Sequence, residues 1–288
     1  MKKLRIVGEP NRLSALNSFT KCSGLVAMRA TEEESVSGPA ADLGTAVGRG
    51  QELWHQGKTL EDVLATLKAE QPKEFPKANL ETTNKTVTRY CNDPRNFPEV
   101  VVTRSLEQEV RLVIPCHPED PSGQPYEAVG HMDQIRYAYP YEKERENMGF
   151  FLWDAKNGKA EGEEMLGDYA FQLAAYALGA DALGEYPGLL VGGIIRTKGY
   201  MSRIKDSETG KLRAGYPGEH KVFFHAGWTV DDCRGILANV AYMIGQIRKG
   251  QIAHTPGAHC RYCPLDFPSC TADNVREKHL RRARRARK

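Results

Sequence analysis

Between residues 105 and 156 the hydrophobic pattern of the chain switches to a period of two. SLEQEVRLVIP alternates apolar with charged positions, as on the first strand of a sheet. VGHMDQIRYAY and MGFFLWDAK follow, two apolar and aromatic runs separated by the charged segment PYEKEREN, which predicts two antiparallel strands joined by a surface loop. MLGDYAFQLAAYALGA is Ala- and Leu-rich and predicts a helix, closed off by LGEYPG. LLVGGIIRT predicts a buried strand beside the hairpin, and GYMSRIK with HKVFFHAGW a further hairpin around DSETGKLRAGYPGE. TVDDCRGILANVAYMIGQIRKG predicts an amphipathic helix capped at Thr229.

Upstream, the pattern is helical. NRLSALNSFTKCSGLVAM reads as a helix with Ser14 as N-cap, leading into Cys22. The polar stretch TEEESVSGPA reads as a loop, and DLGTAVGRGQELWHQGK as a second helix interrupted by Gly48 and Gly50. LEDVLATLKAE is amphipathic, QPKEFPK predicts a break, and PCHPEDPSGQP is a loop of turn formers.

The chemistry concentrates on the central hairpin. Side chains alternate along a strand, so Asp154 and Lys156 point one way and Ala155 the other. With Asp133 on the neighbouring strand in a suitable register, two carboxylates and an ammonium meet in one small volume. Hard divalent cations favour such oxygens, and a lysine beside them can hold or polarise a water. An Asp-x-Lys on a strand is by itself more often a solvated surface pair. Here Gln172 and Tyr176 lie four apart on the next helix and share a face.

The order Gly-x-x-Asp (Gly130, Asp133), Asp-x-Lys (Asp154, Lys156) and Gln-x-x-x-Tyr (Gln172, Tyr176) resembles the RecB-type branch of the PD-(D/E)xK nuclease superfamily. The resemblance implies an α/β fold, a restriction-endonuclease-like mixed β-sheet flanked by helices, and phosphodiester hydrolysis dependent on Mg²⁺ or Mn²⁺. Asp133, Asp154 and the backbone carbonyl of Ala155 would hold the metal. Lys156 would orient or activate the attacking water, and Gln172 with Tyr176 would line the path of the scissile strand. The family carries a histidine in a Gly-Thr-x-x-His stretch, and this chain has Gly48 at that position. Glu52 is a further candidate ligand. His55 lies seven residues on, about 10 Å along the helix, and reads as an exposed histidine. Glu107 and Glu109 read as solvent-facing strand carboxylates.

Seven cysteines, with no signal peptide in MKKLRIVGEP, argue against a disulfide framework. Cys260, Cys263 and Cys270 lie among prolines and turns, so three thiolates can converge on one metal centre. His254, His259 and the distant Cys22 are candidates for a fourth ligand. Ser14 and Cys22, taken with His259, Cys260, Tyr262, Cys263 and Cys270, resemble the iron–sulfur subset of these nucleases. That subset includes AddB-type helicase–nuclease subunits and CRISPR-associated four-cysteine nucleases. The implied site is a [4Fe–4S] cluster on Cys22, Cys260, Cys263 and Cys270, stapling the start of the chain to its end; four thiolates also suit a structural Zn²⁺. Cys91, Cys116 and Cys233 match no pattern and read as ordinary thiols.

A formal net charge of +3 is too small to argue nucleic-acid binding by itself. The tail RRARRARK concentrates positive charge, and Arg281, Arg282, Arg284 and Arg285 are candidates to grip a phosphate backbone. The expected layout is a nuclease domain over 1–270, with a helical insert at about 50–100, an iron–sulfur cap from 14–25 and 254–270, and a basic tail over 271–288. No apolar run approaches a membrane span, and the reading is a soluble, intracellular protein. The expected function is a DNA exonuclease acting on ends or single strands in repair, recombination or phage-type processing. No GxxxxGK[ST] loop is present, so any helicase would be a partner. The competing readings are a DNA-binding scaffold whose nuclease site has decayed, and a zinc-stapled structural protein.

Overall fold

Strand pairing organises the chain. The computed structural model describes residues 11–18, 38–97, 102–120, 122–138, 148–157, 164–201, 203–205, 212–214, 222–249 and 251. In order these form β1 (Asn11–Arg12), a 3-10 turn (Leu13–Ser18), then α1 (Pro39–His55), α2 (Leu60–Glu74) and α3 (Leu80–Cys91). β2 (Val102–Ile114), β3 (Tyr126–Ala138) and β4 (Gly149–Lys156) follow, then α4 (Glu164–Leu183), β5 (Leu190–Arg196) and α5 (Thr197–Met201). The strands β6 (Arg203–Lys205), β7 (Leu212–Ala214) and β8 (Phe223–Thr229) lead into α6 (Val230–Arg248).

β2, β3, β4, β5 and β8 make one mixed sheet, antiparallel except for the parallel β4–β5 pair. β1 joins β3 in parallel at Ala128 and Val129. β2 already pairs with the opposite edge of those residues, so β1 lies on the edge that β4 occupies further along.

Helices cover both faces, as the fold class requires. On one side α4 and α6 pack Leu173, Ala177, Leu237 and Val240 against Met132, Leu152 and Ile194. On the other, α1, α2 and α3 pack Val47, Leu67 and Val87 into a core with Phe151, Trp153 and Phe223. Alternation along β4 thus sends Leu152 to the α4 side and Phe151 and Trp153 to the α1 side. The α6 start is a capping box: Asp232 N–H donates to Thr229 Oγ1 while Thr229 N–H donates to the Asp232 carboxylate.

Three local expectations need correction, and a fourth holds with its boundary moved. α1 is continuous through Gly48 and Gly50. Gly50 is there for packing, since a Cβ would come within 2.6 Å of Val87 Cγ2 on α3. The described part of the Ser14 segment is a two-residue strand and a 3-10 turn, with Ser14 inside the turn and not at its cap. The break predicted at QPKEFPK is present between Glu74 and Leu80, though α2 first runs through Pro72, because a proline in the last turn removes a single hydrogen bond. Finally, Arg203–Lys205 pairs with Leu212–Ala214 as a separate ribbon, while β8 joins the main sheet beside β5, hiding its apolar residues on both faces. The PYEKEREN loop lies outside the described residues.

Candidate active site

The site forms where one ladder stops and its neighbour continues. β3 and β4 pair as far as Gln134 and Trp153, while β4 stays paired with β5 through Lys156. One step past the last β3–β4 pair, the register sets Asp133 across from Asp154. There a side chain takes the place of the backbone acceptor: Ala155 N–H donates to Asp133 Oδ2 at 2.5 Å.

Asp154 is fully buried. Lys156 Nζ donates to its Oδ1 at 2.8 Å. The same nitrogen stands 2.7 Å from Oδ2, yet no donor is aligned with that oxygen. Burial pushes the Asp154 carboxyl above the usual aspartate range; Asp133 adds to the rise and Lys156 opposes it. Burial alone would lower the Lys156 ammonium, but Asp154 and Asp133 outweigh it and hold the group above the ordinary lysine range. One cation therefore serves two carboxylates, and it also lies 5.4 Å from the centre of the Tyr169 ring.

An irregularity in the sheet opens the site. Met132 and Ile135 both belong to the α4-side core, so strict alternation breaks between them, at Asp133 and Gln134. On β2, between the partners of Met132 and Gln134, stands Glu107. Its φ is +47°, the one positive φ among described non-glycine residues. Such left-handed backbone is costly in a strand and concentrates at functional sites. Glu107 is exposed, as read from the sequence, and it also lines a cleft of about 390 Å³ with Glu52, Asp133 and Ala155, closed on the other side by Gly44, Gly48 and Gln51 of α1. Desolvation, with Asp133, Glu52 and Asp154 nearby, raises the Glu107 carboxyl to about 7, Lys156 opposing. Glu109 is exposed, as expected, 3.7 Å from His131.

Gln172 and Tyr176 meet, with Gln172 Nε2 donating to Tyr176 Oη at 2.9 Å. Both are buried, and neither lines the cleft. Their partner is Asn17, which the sequence did not single out: its Nδ2 donates to Gln172 Oε1 at 2.5 Å, and Gln172 N–H donates to Asn17 Oδ1 at 3.1 Å. Gly130 belongs to the same contact, since a Cβ there would fall 2.9 Å from Leu13 Cβ and 3.1 Å from Tyr176 Cε1. The glycine of the Gly-x-x-Asp pattern is thus the seat on which the N-terminal turn and α4 rest.

His55 is not the exposed histidine expected. Its Nε2 lies 2.7 Å from Tyr90 Oη, and burial together with the Arg136 charge lowers its pKa to about 3. Glu52 lines the cleft and is paired with Arg49 at 2.6 Å. Among the described residues no three Asp, Glu, His or Cys side chains close on one point as a metal cage. The set expected from the sequence has two carboxylates and a carbonyl. Its hard oxygens, with Asp154 Oδ2 buried and lacking an aligned donor, fit Mg²⁺ or Mn²⁺ in chemistry. Cys22, Cys260, Cys263, Cys270, His254, His259 and the arginines of the tail lie outside the described residues. Cys91 and Cys233 are buried and Cys116 partly so, all three as free thiols.

No described helix is long and apolar enough to cross a membrane. No curated protein matches the chain closely enough in sequence to count as a relative. A family model does match, over residues 13–267, from the turn that packs on Gly130 through both motif strands, α4 and α6. That span is most of the chain, which therefore belongs to the PD-(D/E)XK nuclease superfamily.

Proposed function

We propose that the protein is a Mg²⁺- or Mn²⁺-dependent DNA nuclease of the RecB type that attacks single strands or free ends. The observation that carries this reading is the meeting of Asp133, Asp154 and Lys156 where the β3–β4 ladder ends. Asp133, Asp154 and the Ala155 carbonyl are the residues to hold a divalent cation, with Glu52 a further candidate. When bound, such a cation supplies Lewis acidity and lowers the pKa of a coordinated water. Lys156, charged and anchored on Asp154, orients the attacking water and offsets negative charge at the phosphate. Asn17, Gln172 and Tyr176 fix α4 against the N-terminal turn, which keeps the wall behind Asp154 in place.

The remaining parts are proposals from sequence. Cys22, Cys260, Cys263 and Cys270 would hold a [4Fe–4S] cluster, or a structural Zn²⁺, in a cap on the nuclease domain over 1–270. Arg281, Arg282, Arg284 and Arg285 would hold the DNA backbone, and a helicase or recombination protein would deliver the strand. The reaction would serve repair, recombination or phage-type DNA processing inside the cell. Gly48, standing where the family has histidine, favours one second reading, a DNA-binding protein that no longer cuts.

Anaerobic purification followed by a visible spectrum and cleavage of end-labelled single strands in Mn²⁺ tests both levels. Cleavage by the wild type, lost in Asp154→Ala, supports the nuclease. Tight binding with no cleavage supports the second reading. A colourless protein containing zinc would remove the cluster and leave the nuclease assignment standing.

A further inference from the structure

On the α1 wall of the cleft one side chain is buried and unmatched. Gln51 is only 3 % exposed, it lines the cleft, and its Nε2 has no hydrogen-bond acceptor. A buried donor without a partner carries its full desolvation penalty, so a partner is expected to arrive from outside the chain.

The neighbours narrow what that partner is. The Arg49 guanidinium is held by Glu70 and Glu52, and the Thr45 hydroxyl donates to the Ala41 carbonyl at 3.2 Å. Glu52, Glu107 and Asp133 are carboxylates and offer an anion nothing. The wall itself is bare: a Cβ at Gly44 would meet nothing within 4 Å, and one at Gly48 would meet only Glu107 Oε1 at 3.9 Å. A polymer backbone can therefore come close to the helix, and a rotation of the Gln51 side chain, whose Nε2 is covered in the free protein, would bring the amide to one of its oxygens.

We propose that Gln51 is a substrate-positioning residue whose Nε2 donates to a non-bridging phosphate oxygen of the bound strand. This rests on the nuclease reading above. The contact is to the backbone, so it is blind to base identity.

Fluorescence anisotropy with labelled oligothymidylate and oligoadenylate strands tests it, with Ca²⁺ replacing Mg²⁺ so that the strands are not consumed. Gln51→Met keeps the length of the side chain and removes the donor. It is expected to bind both strands about tenfold more weakly than wild type, with a melting temperature equal or higher. Gln51→Glu, which sets a charge against the phosphate, is expected to bind more weakly still. Binding by Gln51→Met within about twofold of wild type would overturn the proposal and assign the amide to ordered water. A loss confined to one of the two strands would also overturn it, because that is base recognition. If Gln51→Met gives no cooperative melt, Gln51→Glu is judged by the same limit. A wild type that neither binds nor cuts defeats the nuclease reading itself, whereas a wild type that cuts beside an unaffected Gln51→Met defeats this inference alone.

Discussion

Gly48 on α1 and Glu107 on β2 face each other across the cleft, with 3.9 Å between the Cβ position of residue 48 and Glu107 Oε1. Two residues along the same helix, a Cβ at Gly50 would stand 2.6 Å from Val87 Cγ2 and 3.2 Å from Leu67 Cδ1. The two glycines should therefore respond oppositely to one methyl group. Gly48→Ala is expected to stabilise by about 1 kcal/mol through helix propensity. Gly50→Ala is expected to lose about 1–3 kcal/mol to overpacking. Urea denaturation measures both, and shifts of the same sign would refute the assigned packing of α1.

A histidine at residue 48 would project toward Glu107, at the position where the RecB-type pattern that the sequence resembles carries one. Gly48→His is expected to bind Mn²⁺ more tightly than wild type in titration calorimetry. Unchanged affinity would mean that the cation sits away from the α1 wall.

Lys156 is one ammonium held between two carboxylates. Breaking a buried pair costs about 3–5 kcal/mol. Lys156→Met should fall at the low end near neutral pH, because Asp154, already raised by burial, can take up a proton. In that variant the folded-state pKa of Asp154 lies above its unfolded value, so the folded state binds more protons. Stability should then recover as pH falls from neutral toward about 4. Thermal melts across that range, with cleavage assays in parallel, check both points: no recovery on acidification would mean Asp154 stays ionised, and cleavage close to wild type would remove Lys156 from the water-handling role.

Asn17 ties the N-terminal turn to α4 through two hydrogen bonds to Gln172. Asn17→Ala leaves the side-chain oxygen of a buried glutamine without its donor, while the Gln172 N–H keeps its acceptor within the helix. The expected loss is about 1–3 kcal/mol, seen as a lower denaturation midpoint. An unaltered midpoint would show that water replaces Asn17 there.

How much of this was legible in sequence depends on range. The period-two runs marked β2, β3 and β4, because alternation is a local consequence of strand geometry, and a continuous β-branched run marked the buried β5. Asp133 on the strand beside Asp154 followed from the hairpin, though the register that sets them opposite did not, and Gln172 with Tyr176 followed from helical spacing. Glu107 was legible as an exposed strand carboxylate, but its place in the cleft was not, because the left-handed turn of the backbone at that residue leaves no mark in the alternation. Asn17 left no local signal, since its partner is 155 residues away. Gly50 read as an interruption because a glycine that permits close packing and one that ends a helix are the same letter.

His55 supplies a prediction at acidic pH. Tyr90 Oη receives Arg136 Nη2 at 2.7 Å, so its own hydrogen is free to donate to His55 Nε2, 2.7 Å away. That bond requires a neutral imidazole, and burial beside the Arg136 cation lowers the pKa from an ordinary 6.5 to about 3. Between those two values the unfolded chain binds a proton that the folded protein refuses. Stability from this group therefore rises with pH through that window and is lost as pH falls below about 6.5. His55→Gln can accept from Tyr90 and does not titrate, so the variant should lose less stability than wild type between pH 7 and about 4. Thermal melts over that range decide it: parallel curves would mean that His55 is protonated in the folded state and that its contact with Tyr90 is made the other way round.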